Sequence, residues 1–495
     1  MKKIDKRDII TFFIILIFAL ILFAGYLTPH FATDTYRVYD RTYTGYSKEN
    51  SLLDGRLIQF TILNILNFFN VPIHIATIIL TILALIVSSV SVLVLKKWVE
   101  KYKKFESITG QIFLTLVCFF TIFNFMYLEN MYFLECLVMA FSVLLYIVSA
   151  KCIIEKGKFY FLKSMILMIL AIICYQGTIS CFFITVLVFS ILKEKELKGI
   201  IKNIGISIGI GLIGVVLNII IVHLAENFLN LVQNRDFALN KILKNLSYIL
   251  EQFTVVLVFT GHLFYDYIFI IILLVLELLL IVKSVIKKDF KTNRILLEQF
   301  IILICGIGFA FIVSAYNLDG FWSGRIRFSI GATIGFLMLH LIVKTDLLEK
   351  NNIINILLKI VFIIYAVLIC SCIVTNIETV KTVNKLDKEK SLEIGRYIEE
   401  YEENSGKTVE NLAIIVEGGK TSLAYYSDLW YHGSITTCSA VRTEWAVTGV
   451  INYYNNLKLT EKEPTKQEIE QYRKNVDDKK YMCMDDTLYI SCYMY

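Results

Sequence analysis

Several familiar patterns are missing from this chain of 495 residues, and each absence excludes a class of protein. Charged residues make up only 19% of the sequence and there are only 3 prolines, which is unlike a soluble protein of this length. Neither GxxxxGK[ST] nor a GxGxxG opening a helix after a strand is present, so the common nucleotide-binding motifs are lacking. The 6 histidines and 11 cysteines form neither CxxC nor HExxH, so no metal or other cofactor is indicated.

What fills the sequence instead is long apolar segments. Hydrophobic residues make up 57% and the mean hydropathy is +0.65. Apolar runs of about 18 residues are the signature of membrane-spanning helices. We therefore predict a polytopic α-helical membrane protein. The predicted spans are 9–28, 72–95, 109–127, 132–150, 159–175, 178–192, 203–224, 265–285, 298–316, 329–345 and 353–375.

The basic residues between these spans predict the topology. The net charge of +6 comes from short lysine clusters, which face the cytoplasm in membrane proteins and are no signal for nucleic acid. With the N-terminus inside, the cytoplasmic segments carry 24 Lys and Arg and the opposite side, without the C-terminal tail, carries 9. This asymmetry predicts eleven crossings, a cytoplasmic N-terminus and an extracytoplasmic C-terminus. The first run lacks a cleavage site and is predicted to be a retained helix.

Residues 246–285 are the weak point of that topology, because they are apolar enough for two crossings. Two crossings would place "KKDFKTNR" outside. We therefore expect an external or re-entrant stretch up to His262, followed by a single span.

The composition changes after Thr375, which predicts a transmembrane domain at 1–375 and a small extracytoplasmic α/β domain at 376–495. A helix is predicted to end at Gly406, a strand to follow in "NLAIIVEGG", and another strand to form in "DDTLYISCYMY". Thr465 and Glu468 predict a capping box. If this domain is exported, Cys438, Cys483 and Cys492 would include one disulfide, although their odd number leaves the pair undefined.

The external first loop, 29–71, contains a short apolar segment at 57–69. Its apolar residues recur at helical spacing and are interrupted by Gln59, Asn64 and Asn67. This suits an amphipathic helix in the membrane interface, and equally an extension of the second span.

Ionisable residues beside the predicted spans gather on the external side, where they are candidates for function. For each there is a plainer interpretation: a wet loop for Asp34, lipid headgroups for Arg37 and Arg41, and a helix cap for Glu129. Glu135, deeper in the next helix, would line a cavity. The external candidates are Asp34, Asp40 and Asp54, Arg37, Arg56, Arg325 and Arg327, and Glu129, Tyr175, Gln176 and Trp322.

This combination of residues suits glycosyl transfer from a lipid-linked donor. A carboxylate acts as general base on a hydroxyl, and arginines bind phosphate in bidentate geometry. Aromatic and amide side chains suit sugar rings and hydroxyls. Because nucleotide sugars are cytoplasmic and no nucleotide motif is present, a lipid-phosphate donor is the consistent choice.

The order of the local patterns resembles the polytopic O-antigen glucosyltransferase family, the serotype-converting glucosyltransferases of the GT-C class. The patterns are an acidic first loop, "DGR" at 54–56, "LEN" at 128–130, "YQG" at 175–177 and an arginine-containing loop near 325. The resemblance implies transfer of glucose or another hexose from a polyprenyl-phosphate donor to a surface glycan, in the bacterial plasma membrane. It also implies an essential first-loop acid at Asp34, with Asp40 and Asp54 as alternatives. Family members often carry paired acids there, and "ATDTYRVYD" separates them.

The resemblance further implies phosphate binding by Arg56, Arg325 and Arg327, with Glu129 orienting sugar or acceptor. The acceptor would be O-antigen, a wall polysaccharide or teichoic acid, and a polyprenyl-phosphate glycosyltransferase and a flippase would act with the protein among the membrane lipids. One alternative is a polysaccharide polymerase or ligase that uses lipid-linked donors. Another is a lipid-linked sugar transporter, which the lack of a convincing internal repeat disfavours.

Overall fold

The computed structural model describes residues 5–230, 264, 266–287, 290–313, 324–350, 352–417 and 438–493. Within those ranges each of the eleven apolar segments contains a helix. The helices of this part are α1 (Lys6–Leu22), α2 (Thr33–Tyr46), α3 (Leu57–Phe68), α4 (Ile73–Val99), α5 (Ile108–Ile122), α6 (Phe125–Tyr132), α7 (Cys136–Glu155), α8 (Tyr160–Cys174), α9 (Ser180–Lys193), α10 (Leu197–Leu229), α11 (Asp266–Lys287), α12 (Phe290–Phe309), α13 (Phe328–Lys344) and α14 (Ile353–Ser405).

Apolar surfaces on the outside of this bundle fit a membrane environment. Ile21, Leu224 and Leu274 are 68%, 63% and 64% exposed, and large exposed apolar surfaces mark contact with lipid or another protein. Of the described helices, seven are long and apolar enough to cross a membrane, or eight if one bent pair counts as a single span. The stretch up to His262, which was expected to be external or re-entrant, lies outside the described part of the chain.

The bent pair is α5 and α6, which meet at an angle of 56°. Asn124 lies at the break, where its side-chain oxygen accepts hydrogen bonds from the backbone N–H groups of Met126 and Tyr127. This N-cap starts a new helix. The expected span 109–127 therefore ends early, at Ile122, and the expected span 132–150 begins only at Cys136.

The first loop contains two helices. α2 is kinked at Thr42 and passes into a π-helical stretch, Ser47–Leu52. α3 is separate from α4, because Asn70 takes a positive φ of 49° and Pro72 begins the next helix as its N-cap. Of the two interpretations of 57–69, the separate helix is confirmed.

The six basic segments that were predicted to be cytoplasmic gather at one end of the bundle. Lys97 pairs with Asp8, and Lys101 with Glu155. Lys156 lies 3.1 Å from Glu194, and Lys103 lies 3.0 Å from Glu349. The remaining segment joins them through the Arg294 guanidinium, which donates to the carbonyl of Lys195. These contacts place the six segments on one side of the bundle.

α14 is a single helix of 53 residues that runs through the expected domain boundary at 375 and ends at Gly406, as predicted. Beyond it, four strands form a mixed sheet in the order β2-β1-β4-β3: β1 (Asn411–Glu417), β2 (Thr460–Lys462), β3 (Tyr481–Met484) and β4 (Thr487–Tyr493). Strands β1 and β4 confirm the two predicted strands, and they pair in parallel. α15 (Val447–Asn455) and α16 (Lys466–Asn475) complete this sheet unit.

Two sequence expectations for the sheet unit have opposite outcomes. The capping box of Thr465 and Glu468 is confirmed. The disulfide expectation is wrong: Cys438, Cys483 and Cys492 are all buried free thiols, and they serve as small apolar residues of the interior.

The sheet unit packs directly on α2. A Cβ placed at Gly449 of α15 would lie 2.1 Å from the carbonyl oxygen of Tyr36, so only glycine permits this approach. Phe31 stacks against Tyr36 and contacts Tyr453, with ring centroids 5.3 and 5.2 Å apart. Asn384 of α14 bonds both the N–H and the carbonyl of Phe31. The start of α2 is thereby fixed between the bundle and the sheet unit.

Candidate functional site

The residues of the candidate site lie where α2 and the loops facing it meet the bundle. Four of the residues singled out from sequence come together there: Asp54, Arg56, Tyr175 and Gln176. Arg56 lies 3.0 Å from the Asp54 carboxylate and 5.1 Å from the centre of the Tyr175 ring. Gln176 accepts from Arg56 Nε at 3.4 Å and donates to the carbonyl of Asp54 at 3.0 Å. We call these four residues the arginine cluster.

The backbone at Gly55 brings Asp54 and Arg56 into the cluster. Gly55 has a φ of +72°, a left-handed conformation that favours glycine. Its carbonyl accepts from the Asn218 side chain at 3.0 Å, and a Cβ at this position would lie 2.3 Å from the same side chain. The "DGR" sequence is therefore needed for a tight turn against α10.

Glu135 lies in the turn before α7, with only 6% of its surface exposed. Its Oε1 accepts two hydrogen bonds, from the Tyr46 hydroxyl at 2.7 Å and from Gln59 Nε2 at 2.9 Å. Tyr46 ends α2 and Gln59 belongs to α3. The polar residue that interrupts the apolar pattern of α3 thus faces inward and holds a buried carboxyl group.

Asp34 lies in the first turn of α2 and connects the loop to the sheet unit. Its Oδ1 accepts from the indole N–H of Trp445 at 3.1 Å. Asp34 also lies close enough to Glu135 for electrostatic interaction, and so does Arg56. Asp34 and Arg56, from two parts of the first loop, therefore both act electrostatically on Glu135.

A second contact pair lies beside the arginine cluster. The backbone N–H of Arg325 donates to Glu129 Oε2 at 2.9 Å, and the Arg325 guanidinium lies 4.2 Å from the centre of the Phe133 ring. The turn Gly324–Ile326 packs against the turn Gln176–Thr178 of the cluster. Arg327 is buried at the start of α13.

Two further predicted residues of α2 contact the sheet unit and another part of the first loop. Asp40 accepts from Asn452 at 3.5 Å and lies 3.6 Å from Arg41. Burial raises the pKa of Asp40, and the negative charge of Glu461 adds to this effect. Arg37 is partly exposed and pairs with Glu49 at 3.7 Å. Trp322, which was predicted to bind sugar, lies outside the described residues.

The structure adds residues that sequence reasoning did not place in the site. Tyr46, Gln59, Asn218 and Trp445 all bond to candidate residues or to their backbone. Gln59 offered a signal, as a polar residue in an apolar helix, whereas Trp445 offered none. Glu129 lies within α6 and not at a loop turn.

This arrangement places carboxyl groups and an arginine in a largely buried setting. A buried guanidinium backed by a carboxylate keeps its fork of N–H donors in a fixed orientation. Electrostatic interactions are strengthened where water is excluded. The seven helices that can cross a membrane, together with this charged cluster, are typical of an integral membrane protein with a polar site at one end.

Comparison with known proteins adds no family to this description: no family model matches the chain, and no curated protein and no solved structure does so.

Proposed function

We propose that this protein is an integral membrane glycosyltransferase of the bacterial plasma membrane. It transfers a hexose, such as glucose, from a polyprenyl-phosphate carrier to a surface glycan. In this proposal the chain crosses the membrane eleven times, with its N-terminus in the cytoplasm. The candidate site and the sheet unit face outward, and a polyprenyl-phosphate glycosyltransferase and a flippase supply the donor.

The observation that carries the proposal is the partly buried Arg56, which contacts Asp54, Tyr175 and Gln176 within electrostatic range of Glu135. A phosphate needs a fixed cation, and a hydroxyl nucleophile needs a base. Stacking of the guanidinium on an aromatic ring keeps its edge available for a phosphate. Arg325 belongs to the turn Gly324–Ile326, which packs against the arginine cluster, and Arg327 directly follows that turn. Both add positive charge.

The proposed reaction is a single displacement. Asp34 takes the proton of the acceptor hydroxyl while the acceptor oxygen forms a bond to the anomeric carbon of the donor sugar. The bond between that carbon and the phosphate oxygen breaks, and the lipid phosphate leaves with the electron pair. Arg56 and Arg325 stabilise the charge that develops on this phosphate, and the proton remains on Asp34 until water removes it.

The test uses the full-length protein in nanodiscs with polyprenyl-phosphate glucose and the cell-surface glycan of its host. Asp34→Asn keeps the side-chain shape and the acceptor atom for Trp445, but removes the base. We expect transfer to fall by about 100-fold or more, with unchanged protein level and thermal stability. Full activity in this variant would refute the role of Asp34.

Analysis of the product separates this function from that of a polymerase or ligase. A single sugar branch on a backbone of unchanged length supports the proposal. A change in chain length would replace it with polymerisation. Movement of the intact donor across the bilayer, with no sugar transferred, would instead indicate a transporter.

A further inference from the structure

The hydrogen bonds of Glu135 divide its carboxyl group into two unlike oxygens. Oε1 accepts from both Tyr46 and Gln59. Oε2 is fully buried and has no hydrogen-bond partner within the described ranges. A buried polar atom without a partner costs free energy, so each one calls for an explanation, and a bound ligand is one that would complete Oε2.

The two donors on Oε1 decide which oxygen carries a proton. Neither the Tyr46 hydroxyl nor the Gln59 amide N–H brings a positive charge, so the pair does not neutralise an ionised carboxylate. A proton placed on Oε2 turns the orphaned acceptor into a donor and leaves both bonds to Oε1 intact. The side chain then has the pattern of a primary amide, with an acceptor on one side and a donor on the other.

The surrounding charges favour the same protonated form. The titratable groups that act on Glu135 are Asp34 and Tyr46 of α2, Arg56 of the arginine cluster and the adjacent Cys136. Burial and the like charge of Asp34 raise the pKa of Glu135, against smaller opposing effects from Tyr46, from the backbone N–H of Glu135 itself and from Arg56. Two carboxyl groups at one site commonly share a single negative charge.

We propose that Glu135 is a protonated carboxylic acid at neutral pH, and that its Oε2–H group donates a hydrogen bond to an oxygen of the lipid-linked sugar phosphate. The identity of that oxygen rests on the proposed function, whereas the protonated state does not. Glu135 is thereby a binding residue that carries no charge. A neutral donor can approach a phosphate that an ionised carboxylate would repel.

This assignment predicts opposite outcomes for two similar substitutions. In Glu135→Gln, the amide oxygen accepts from Tyr46 and Gln59, and the amide N–H replaces the Oε2–H donor. We expect this conservative variant to keep most of the donor affinity that Glu135→Leu loses, so its KM for the donor should rise far less than that of the leucine variant. Glu135→Leu keeps the volume and removes the donor, so its KM for the donor should rise about tenfold to 100-fold. A loss in Glu135→Gln as large as in Asp34→Asn would overturn the proposal.

Infrared difference spectroscopy tests the protonated state without any need for activity. The spectrum of the wild type minus that of Glu135→Gln, at pH 7 in nanodiscs, should contain the C=O stretch of a protonated carboxyl group. Its titration midpoint should lie above that of an ordinary glutamate, and Asp34→Asn should lower this midpoint by removing the like charge. A carboxylate signal at pH 7 would refute the assignment.

The ligand oxygen is tested by adding polyprenyl-phosphate glucose to the same sample. A shift of the protonated carboxyl band supports a hydrogen bond from Glu135 to the donor, and an unshifted band at saturating donor would refute it. These arms separate the two proposals. A wild-type protein that shows the band and its shift but transfers no sugar contradicts the transferase while supporting Glu135 as a binding residue.

Discussion

Two buried carboxyl groups, Asp387 beside the sheet unit and Glu135 in the helical bundle, differ in how completely they are hydrogen-bonded. Asp387 of α14 is 1% exposed and accepts from the Ser439 hydroxyl and from the N–H groups of Ala440 and Val441. It caps the short helix Ala440–Arg442 of the sheet unit. Glu135 has two donors on one oxygen and none on the other among the described residues. The complete set at Asp387 indicates a structural role, whereas the open Oε2 of Glu135 is the position that the proposed ligand would fill.

The largest effect that tests this comparison is expected at Asp387. Asp387→Ala removes the acceptor from three donors that stay buried, which should lower the free energy of unfolding of the sheet unit by about 3 kcal/mol. Thermal unfolding and limited proteolysis measure the loss. Asp387→Asn keeps one acceptor oxygen and should lose about half as much. If the alanine variant were as stable as the wild type, Asp387 would not have the structural role assigned to it.

A large effect on activity, without a comparable effect on folding, is expected at Arg56. Arg56→Ala removes the cation that lies against Asp54 and Tyr175, so transfer should fall by about 100-fold or more. Arg56→Lys keeps the charge but not the planar fork, and should recover only part of the rate.

The matched control for the Arg56 variants is Arg41→Ala. Arg41 is exposed and pairs with Glu49 and Glu461, so its loss should change stability by less than about 1 kcal/mol. Equal rates of sugar transfer in Arg56→Ala and Arg41→Ala would contradict a role of the arginine cluster in the reaction.

The smallest effect is expected at Asp40, where pH dependence gives the readout. Burial raises the pKa of Asp40 in the folded state. The folded protein therefore favours the protonated form, and the stability that this form contributes is present at acid pH and lost as the pH rises through the raised pKa. Asp40→Asn should thus be slightly more stable than the wild type at pH 7, by less than about 1 kcal/mol. The difference should shrink as the pH falls towards 3.8, the ordinary aspartate value.

Activity of the same variant separates Asp40 from Asp34. Asp40 contacts Asn452 and Arg41, which are not part of the arginine cluster. We therefore expect less than about a threefold loss of transfer in Asp40→Asn. A loss as large as that in Asp34→Asn would show that both acids of "ATDTYRVYD" serve the reaction.

Much of the helical framework could be predicted from sequence because it depends on local patterns. The apolar runs and the lysine clusters are properties of single segments, and so are the capping box at Thr465 and the glycine that ends α14. The break between α5 and α6 was missed because apolar residues continue through it. Only Asn124, as the N-cap of a new helix, marks the end of the first one.

The site was predictable in its residues but not in its pairing. "DGR" and "YQG" are short, and nothing local shows that Arg56 meets Tyr175 and Gln176 across 120 residues of chain. Trp445 lies 411 residues from Asp34, in a segment with no membrane character. Such contacts depend on how the sheet unit sits on α2, which packing decides and composition does not.

The unbroken helix α14 has a mechanical consequence. At 1.5 Å per residue its 53 residues form a rod of roughly 80 Å, whereas the hydrocarbon core of a bilayer is only about 30 Å thick. In the part of α14 beyond the apolar segment, Asn384 is hydrogen-bonded to the backbone just before α2, and Asp387 is hydrogen-bonded to the sheet unit. A tilt of the rod would carry Asp34 and Trp445 in the same direction, so the two would stay in register. A change in the tilt of α14 would therefore leave the hydrogen bond between the acid and its indole partner in place.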